Sequence, residues 1–335
     1  MEIKKRLSGC RDELKGIAIL WVVFFHAAAP GVNAFGNVLD TVQGIGYGGV
    51  DIFFFLMGYG LYYSLKKNPN VAYYWKRRLQ RVLPSYLPLI ICWIAVMFPG
   101  YGLSRVQGIR SAAGNLLMAG YWFQIPKNFN WYVSGMMLFF LLAPAIHGLL
   151  SKSKKPFMTL VVLLAVSVAV GICCVGIDQY MAISRLPIFI IGMAFAMDWK
   201  KEPNRVVLFG VSVLSFCAGL YILLLCRGQY VELLYTYGMY WHPFVLITPP
   251  LCMGLSYLFS KMEKARMLFA PIRLFGKASF EIYLVNIWMV ELKADRLAFE
   301  GWHGWAVWSL CVVLGIGYHF LVQAGMAVWK RRTAG

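Results

Sequence analysis

The sequence predicts an all-α, polytopic membrane protein of about ten transmembrane helices with both termini cytoplasmic. Three observations carry this expectation. Of 335 residues, 60% are hydrophobic and 14% are charged, with a mean hydropathy of +0.64, whereas a soluble domain carries about 25% charged residues. The apolar runs continue for about twenty residues, the length that carries a helix across a ~30 Å hydrocarbon core. They do not alternate in polarity as lipid-facing strands must. Finally, the basic residues are shared unevenly between alternating loops.

In chain order, spans are expected near 14–30, 44–65, 79–98, 131–150, 156–176, 185–199, 205–226, 243–260, 268–291 and 304–329. The stretch 111–123 is too short to cross and predicts a re-entrant or surface helix within the long connection 99–130. With the N-terminus inside, the inner segments hold twenty-five of the 32 basic residues. The outer segments hold Arg105, Arg110, Lys127, Arg185, Arg227, Lys293 and Arg296. The net charge of +18 is therefore a topology signal of the positive-inside kind, and no nucleic-acid partner is expected. Cys92, Cys173, Cys174, Cys217, Cys252 and Cys311 fall within the apolar spans, which favours packing thiols over a disulfide framework. The basic start leads into an apolar run with no small-residue cleavage site, so neither a cleavable signal nor a separate soluble domain is expected. A single membrane domain over 1–335 is expected.

Polar groups inside the spans are few, so each is a candidate site residue. His26 stands near the outer end of the first span in the otherwise apolar run 16–29, eleven residues after Lys15. It either packs a helix by donating to a carbonyl or serves as a general acid–base group near neutral pH. His319 sits in the middle of the last span without an accompanying motif and reads as the weaker rival. Asp51, among glycines at the start of the second span, either forms a structural ion pair or orients His26. Glu281 in the ninth span carries the same two readings. Arg78 and Arg81 open the third span at i and i+3, which puts them on one helix face. They either anchor the topology or, with Lys15, grip a polyanionic cytosolic ligand. No cluster of His, Cys and carboxylates has ligand spacing, so no metal is expected.

These residues lie in a recognisable order. Arg11-Asp12-Glu13-Leu14-Lys15 followed by His26 resembles the opening of the acyltransferase 3 family, membrane O-acyltransferases of bacterial surface glycans, whose signature is a basic residue, ten others, then His. Gly49-Val50-Asp51 through Gly58 is similar to its second-span motif, and Arg78-Leu79-Gln80-Arg81 to its Arg-x-x-Arg element. Asn130-Trp131-Tyr132, Arg185 through Gly192, and Gly276 through Tyr283 resemble further family landmarks. Two positions depart from the pattern. Asn286 stands where Tyr-Leu-x-His is frequent, and no histidine precedes Trp131.

The resemblance implies transfer of an acyl group, acetyl above all, from cytosolic acyl-CoA to a hydroxyl of a cell-envelope glycan or glycolipid at the bacterial plasma membrane. It implies His26 and Asp51 as catalytic residues and Lys15, Arg78 and Arg81 as donor-binding ones, with Asp12, Trp131, Arg185, Glu281 and Tyr283 as further site candidates. A pantetheine arm treated as about five extended residues spans ~17 Å, against an axial rise of ~16 Å from Lys15 to His26. Direct transfer with His26 as base and a covalent acyl-histidine relay both remain open. A transporter or flippase of a lipid-linked glycan is the alternative from another class; it would show internal two-fold repetition, and none is visible.

Overall fold

The structure is a computed structural model that describes residues 2–27, 37–199, 204–230, 232–233, 242–262, 267–295 and 302–334. Helices and short connections account for the described residues, with no strand among them. In order they are α1 (Glu2–Gly9), α2 (Arg11–His26), α3 (Asn37–Gly44), a 3₁₀ turn (Gly46–Gly48), α4 (Gly49–Lys67), α5 (Val71–Met97) and a second 3₁₀ turn (Phe98–Gly100). There follow α6 (Arg105–Leu116), α7 (Trp131–Lys152), α8 (Pro156–Cys173), α9 (Tyr180–Ile183), α10 (Leu186–Ala196) and α11 (Arg205–Gly228). The last are α12 (Pro243–Lys261), α13 (Ala270–Lys277), α14 (Ser279–Asp295) and α15 (Trp302–Ala334).

An all-helical membrane architecture follows from the bilayer itself, where each backbone N–H and C=O must be satisfied within its own segment. Among the described residues, six helices are long and apolar enough to cross, at Val71–Gly100, Trp131–Lys152, Pro156–Cys173, Arg205–Gly228, Pro243–Lys261 and Ala306–Arg332. The pair Val38–Gly44 and Gly46–Lys67, bent by 46°, makes a seventh if taken as one span. The other three expected spans take different forms. The first is α2, which reaches His26, while residues 28–30 lie outside the described part. The expected span 185–199 is a short apolar stretch, Tyr180–Ala196, interrupted after α9. The expected span 268–291 breaks at Ala278 between α13 and α14. The 111–123 segment is also reshaped. Its helix runs earlier, from a Ser104–Gln107 capping box to Leu116, and the remainder is turns with positive φ at Met118 and Gln124.

The chain divides into two compact units. The first comprises Met1–Leu14, Val50–Tyr74 and Gly135–Ala265. Its centre is an aromatic stack of Phe54, Phe139 and Phe189, with ring centroids 4.7 and 5.0 Å apart. There α4 and α10 touch backbone to backbone. A Cβ on Gly58 would lie 2.1 Å from the carbonyl oxygen of Phe189, and one on Gly192 would lie 2.1 Å from that of Phe55. Only glycine at both positions permits this approach, the way small residues draw membrane helices together. Asp198 closes the same unit at one end. Hydrogen bonds from Lys66 and Lys4 hold its carboxyl below the ordinary carboxylate range.

The second unit comprises Lys15–Gly49, Trp75–Ser134 and Arg266–Gly335. Its long connection is fastened around buried Asn115, whose side-chain amide donates to the carbonyls of Ser111 and Lys127 at 2.9 and 3.0 Å. The same side chain accepts from the Phe129 amide at 2.8 Å. One further step along, the Asn130 side chain caps α7 by accepting from Tyr132 N at 2.7 Å, and it also accepts from the Tyr283 hydroxyl at 3.1 Å. The Asn130-Trp131-Tyr132 and Tyr283 elements thus meet as one capping device.

The glycine contact makes a stability prediction. Gly192→Ala should destabilise the protein by about 1–3 kcal/mol, because the added methyl forces two backbones apart. Gly210→Ala, with no atom within 4 Å of its Cβ, should be neutral or stabilise by up to ~1 kcal/mol through helix propensity. Thermal unfolding in detergent, followed by loss of the monodisperse size-exclusion peak, distinguishes them; equal melting of both variants would refute the close packing of α4 on α10.

Candidate active site

The polar residues of the second unit fall in layers along helices whose register can be read from their contacts. Gly16 of α2 abuts Ile272 of α13, and His26 of α2 meets Asn286 of α14. Ser85 and Trp93 of α5 meet Glu281 and Glu291 of α14. In each case both residue numbers rise together, so α2 and α5 run parallel to α14. By contrast, α15 runs antiparallel to α14, since Asn286 meets Cys311 and Glu281 meets His319. Distances along the axis can therefore be measured from the end that carries Lys15, Arg78 and Arg81.

At that basic end, Lys15 and Arg78 are half-buried and Arg81 is exposed. The rise from Lys15 to His26 is about 16 Å, and the whole interval lies in one uninterrupted helix. Arg78, Arg81 and Ser85 share a face of α5 at i, i+3 and i+7. Pro84 and Pro88 lie within this helix without ending it, as bundle helices in a membrane tolerate.

His26 is the last residue of α2, and its ring Nδ1 lies 2.6 Å from Oδ1 of Asn286. Asn286 is fully buried, and its Nδ2 donates to the Cys311 sulfur at 3.5 Å. With Nδ2 turned to Cys311, the carbonyl oxygen faces the imidazole, so Nδ1 carries the proton and donates. Nε2 is then left with the lone pair, and it has no hydrogen-bond partner among the described residues. Trp308 stacks on the ring with centroids 6.1 Å apart and an interplanar angle of 29°, while Phe25 lies 5.3 Å away. The arrangement is an imidazole locked in one tautomer, walled by aromatics, with a basic nitrogen available.

Between the basic end and His26 lies a second polar layer. Glu281, 5% exposed, accepts from the Ser85 hydroxyl at 2.6 Å through one oxygen. Its other oxygen lies 3.1 Å from Nδ1 of His319. Beside them the Tyr318 hydroxyl donates to the Ser85 carbonyl at 2.6 Å.

The expected residues are thus distributed between the units. At Nδ1 the partner of His26 is Asn286. The Asp51 carboxylate instead faces the Arg185 guanidinium at 3.8 Å, both side chains being almost fully buried in the first unit. Asp12 lies in the first turn of α2, in the first unit. Trp131 opens α7, with its ring 6.2 Å from that of Tyr132. Tyr283 is buried, with its ring 4.8 Å from Tyr132. Sequence reasoning missed the partners of His319 and the contacts of Ser85, Trp308, Cys311 and Asn286. The available signal was the i, i+3, i+7 continuation of the arginine face to Ser85. Among the described residues no group of three or more His, Cys, Asp or Glu converges to hold a metal.

Comparison with known proteins follows the same outline. The chain is 24% identical over 315 residues to O-acetyltransferase OatA of Staphylococcus aureus, covering 82% of this chain and 49% of that protein. It is 25% identical over 359 residues to the putative peptidoglycan O-acetyltransferase YrhL of Bacillus subtilis, covering 92% of this chain and 53% of that protein. The chain therefore spans about half the length of the curated relatives it matches. No solved structure matches it. The family model described as an acyltransferase domain matches residues 12–322, an interval that takes in Lys15, His26, the arginine face, Asn286 and His319. With its motifs in the family's order and that match across nearly its whole length, the chain belongs to the acyltransferase 3 family.

Proposed function

We propose that this chain is an integral-membrane O-acyltransferase of the bacterial plasma membrane. It moves an acetyl or other acyl group from cytosolic acyl-CoA to a hydroxyl of a cell-envelope glycan or glycolipid. In this reading the chain crosses about ten times with both termini cytoplasmic, and Lys15, Arg78 and Arg81 hold the donor's phosphates. The observation that carries it is the free Nε2 of His26, fixed by the Asn286 hydrogen bond.

The chemistry follows from that nitrogen. Nε2 takes the proton of the acceptor hydroxyl as its oxygen attacks the thioester carbonyl. The tetrahedral centre then expels the thiolate as the C–S bond breaks, and the imidazolium returns the proton to sulfur. The proton lost by the hydroxyl is the one gained by the departing thiol, so the step needs no other proton source. Asn286 stabilises the Nδ1–H side throughout, as an orienting group does for a catalytic histidine. The buried Asp51–Arg185 pair supports the fold of the first unit, since breaking one partner of such a pair strands a charge.

His26→Ala should cost about 10²–10⁴-fold in acyl transfer while expression and membrane insertion stay at wild-type levels. The assay is transfer of radiolabelled acetyl from acetyl-CoA to extracted envelope glycan in vesicles. Asn286→Leu should lower turnover by at least ~10-fold, and Asn286→Asp, which keeps an acceptor at Nδ1, should lower it less. The double variant His26→Ala/Asn286→Leu should be no slower than His26→Ala, because the two act as a unit. A His26→Ala protein that keeps most of its turnover refutes the base assignment. If it also translocates a lipid-linked glycan, the flippase reading replaces this one.

The topology has its own test. In a cysteine-free background, a cysteine at exposed Val106 should react with an impermeant reagent from outside, and one at Lys154 only after permeabilisation. The reverse pattern would overturn the sidedness of the reaction.

A further inference from the structure

The cluster of Ser85, Glu281 and His319 has no part in the chemistry just described, yet its position is informative. A carboxylate and an imidazole inside an apolar bundle are costly, and polar groups at such depth mark ligand pathways. Here the carboxylate is satisfied internally by Ser85 and His319, while His319 Nε2 has no hydrogen-bond partner among the described residues. The His319 side chain as a whole is 13% exposed. The cluster therefore presents an open hydrogen-bonding site held rigidly from behind.

Its level along the axis is set by the parallel helices. Ser85 lies about 6 Å beyond Arg81 on α5, and Glu281 lies about 7–8 Å short of Asn286 on α14. Because Ser85 and Glu281 touch, these two intervals add to about 14 Å between the arginine level and the His26 level. The cluster thus stands midway between these two levels, an interval comparable with the ~17 Å of a pantetheine arm. The middle of that arm carries amides, which bring both a donor and an acceptor into a region without water. An amide suits His319 in either state: a neutral ring offers the Nε2 lone pair to an N–H, and a charged ring offers Nε2–H to a C=O.

We propose that Ser85, Glu281 and His319 form a binding site for the amide-bearing arm of the acyl donor, with His319 Nε2 as the contacting atom. The proposal rests on the acyl-CoA reading above. Glu281 and Ser85 are positioning residues for His319, and none of the three touches the reacting atoms.

Binding of CoA and of adenosine bisphosphate, which lacks the arm, to the purified full-length protein in detergent tests this. His319→Ala alone would leave Glu281 as an unpaired buried charge and endanger folding. The double variant Glu281→Met/His319→Leu removes both polar partners with apolar groups of similar size, which such sites tolerate. Expected is a loss of CoA affinity of about 10-fold in the double variant, as for one to two buried hydrogen bonds, with affinity for adenosine bisphosphate unchanged. CoA bound as tightly by the variant as by wild type overturns the inference and leaves the donor reading standing. Equal loss of both ligands also overturns it, by making the cluster merely structural. If the wild-type protein binds neither ligand, the donor reading itself falls.

Discussion

The hydrogen bond between His26 and Asn286 is the interaction on which the functional account depends. A histidine at the end of an apolar helix needs a partner, and in this chain the partner is a neutral amide rather than a carboxylate. The choice has a chemical consequence. A neutral acceptor fixes the tautomer and the ring orientation without placing a buried negative charge beside the base. Asn286 is itself oriented by Cys311, so the geometry of the imidazole is set by α14 and α15 together. An asparagine where histidine is frequent in the family is, in this light, a substitution that keeps the ring's environment uncharged.

The carboxylates of the chain are handled by a different physical solution. Asp51 meets Arg185 within the first unit, and Glu281 meets Ser85 and His319 within the second. Both of these carboxylates thus have a cationic or donating partner, as low-dielectric surroundings demand. A buried ion pair contributes little net stability, but removing one member leaves an uncompensated charge. The packing that holds these groups in register is apolar and close, with glycines at the helix crossings in place of further polar contacts.

The helical membrane architecture was legible in the sequence because backbone satisfaction in lipid forces long apolar runs into helices. Buried polar positions were legible where a polar residue interrupts such a run, as at His26, Asp51 and Glu281. Their partners were not, since sequence distance says nothing about contact between helices. His26 and Asn286 lie 260 positions apart, and Ser85 and Glu281 lie 196 apart. For Asp51 the sequence left a structural ion pair and an orienting role beside His26 both open, and the guanidinium that meets it belongs to a motif much farther along. Helix breaks were equally hidden. The joint at Ala278 between α13 and α14 fell inside one expected span although Gly276 and Ser279 flank it, and the turns after Leu116 depend on the buried amide of Asn115.

The ring tautomer of His26 tests the central claim most directly. Nitrogen-15 histidine labelling of the protein in lipid, read by solid-state NMR with His26→Ala to assign the signal, distinguishes a protonated Nδ1 from a protonated Nε2. The account predicts a neutral His26 with its proton on Nδ1 and a bare Nε2 in the resting protein. A His26 protonated at Nε2 alone, or carrying protons on both nitrogens at neutral pH, would contradict it.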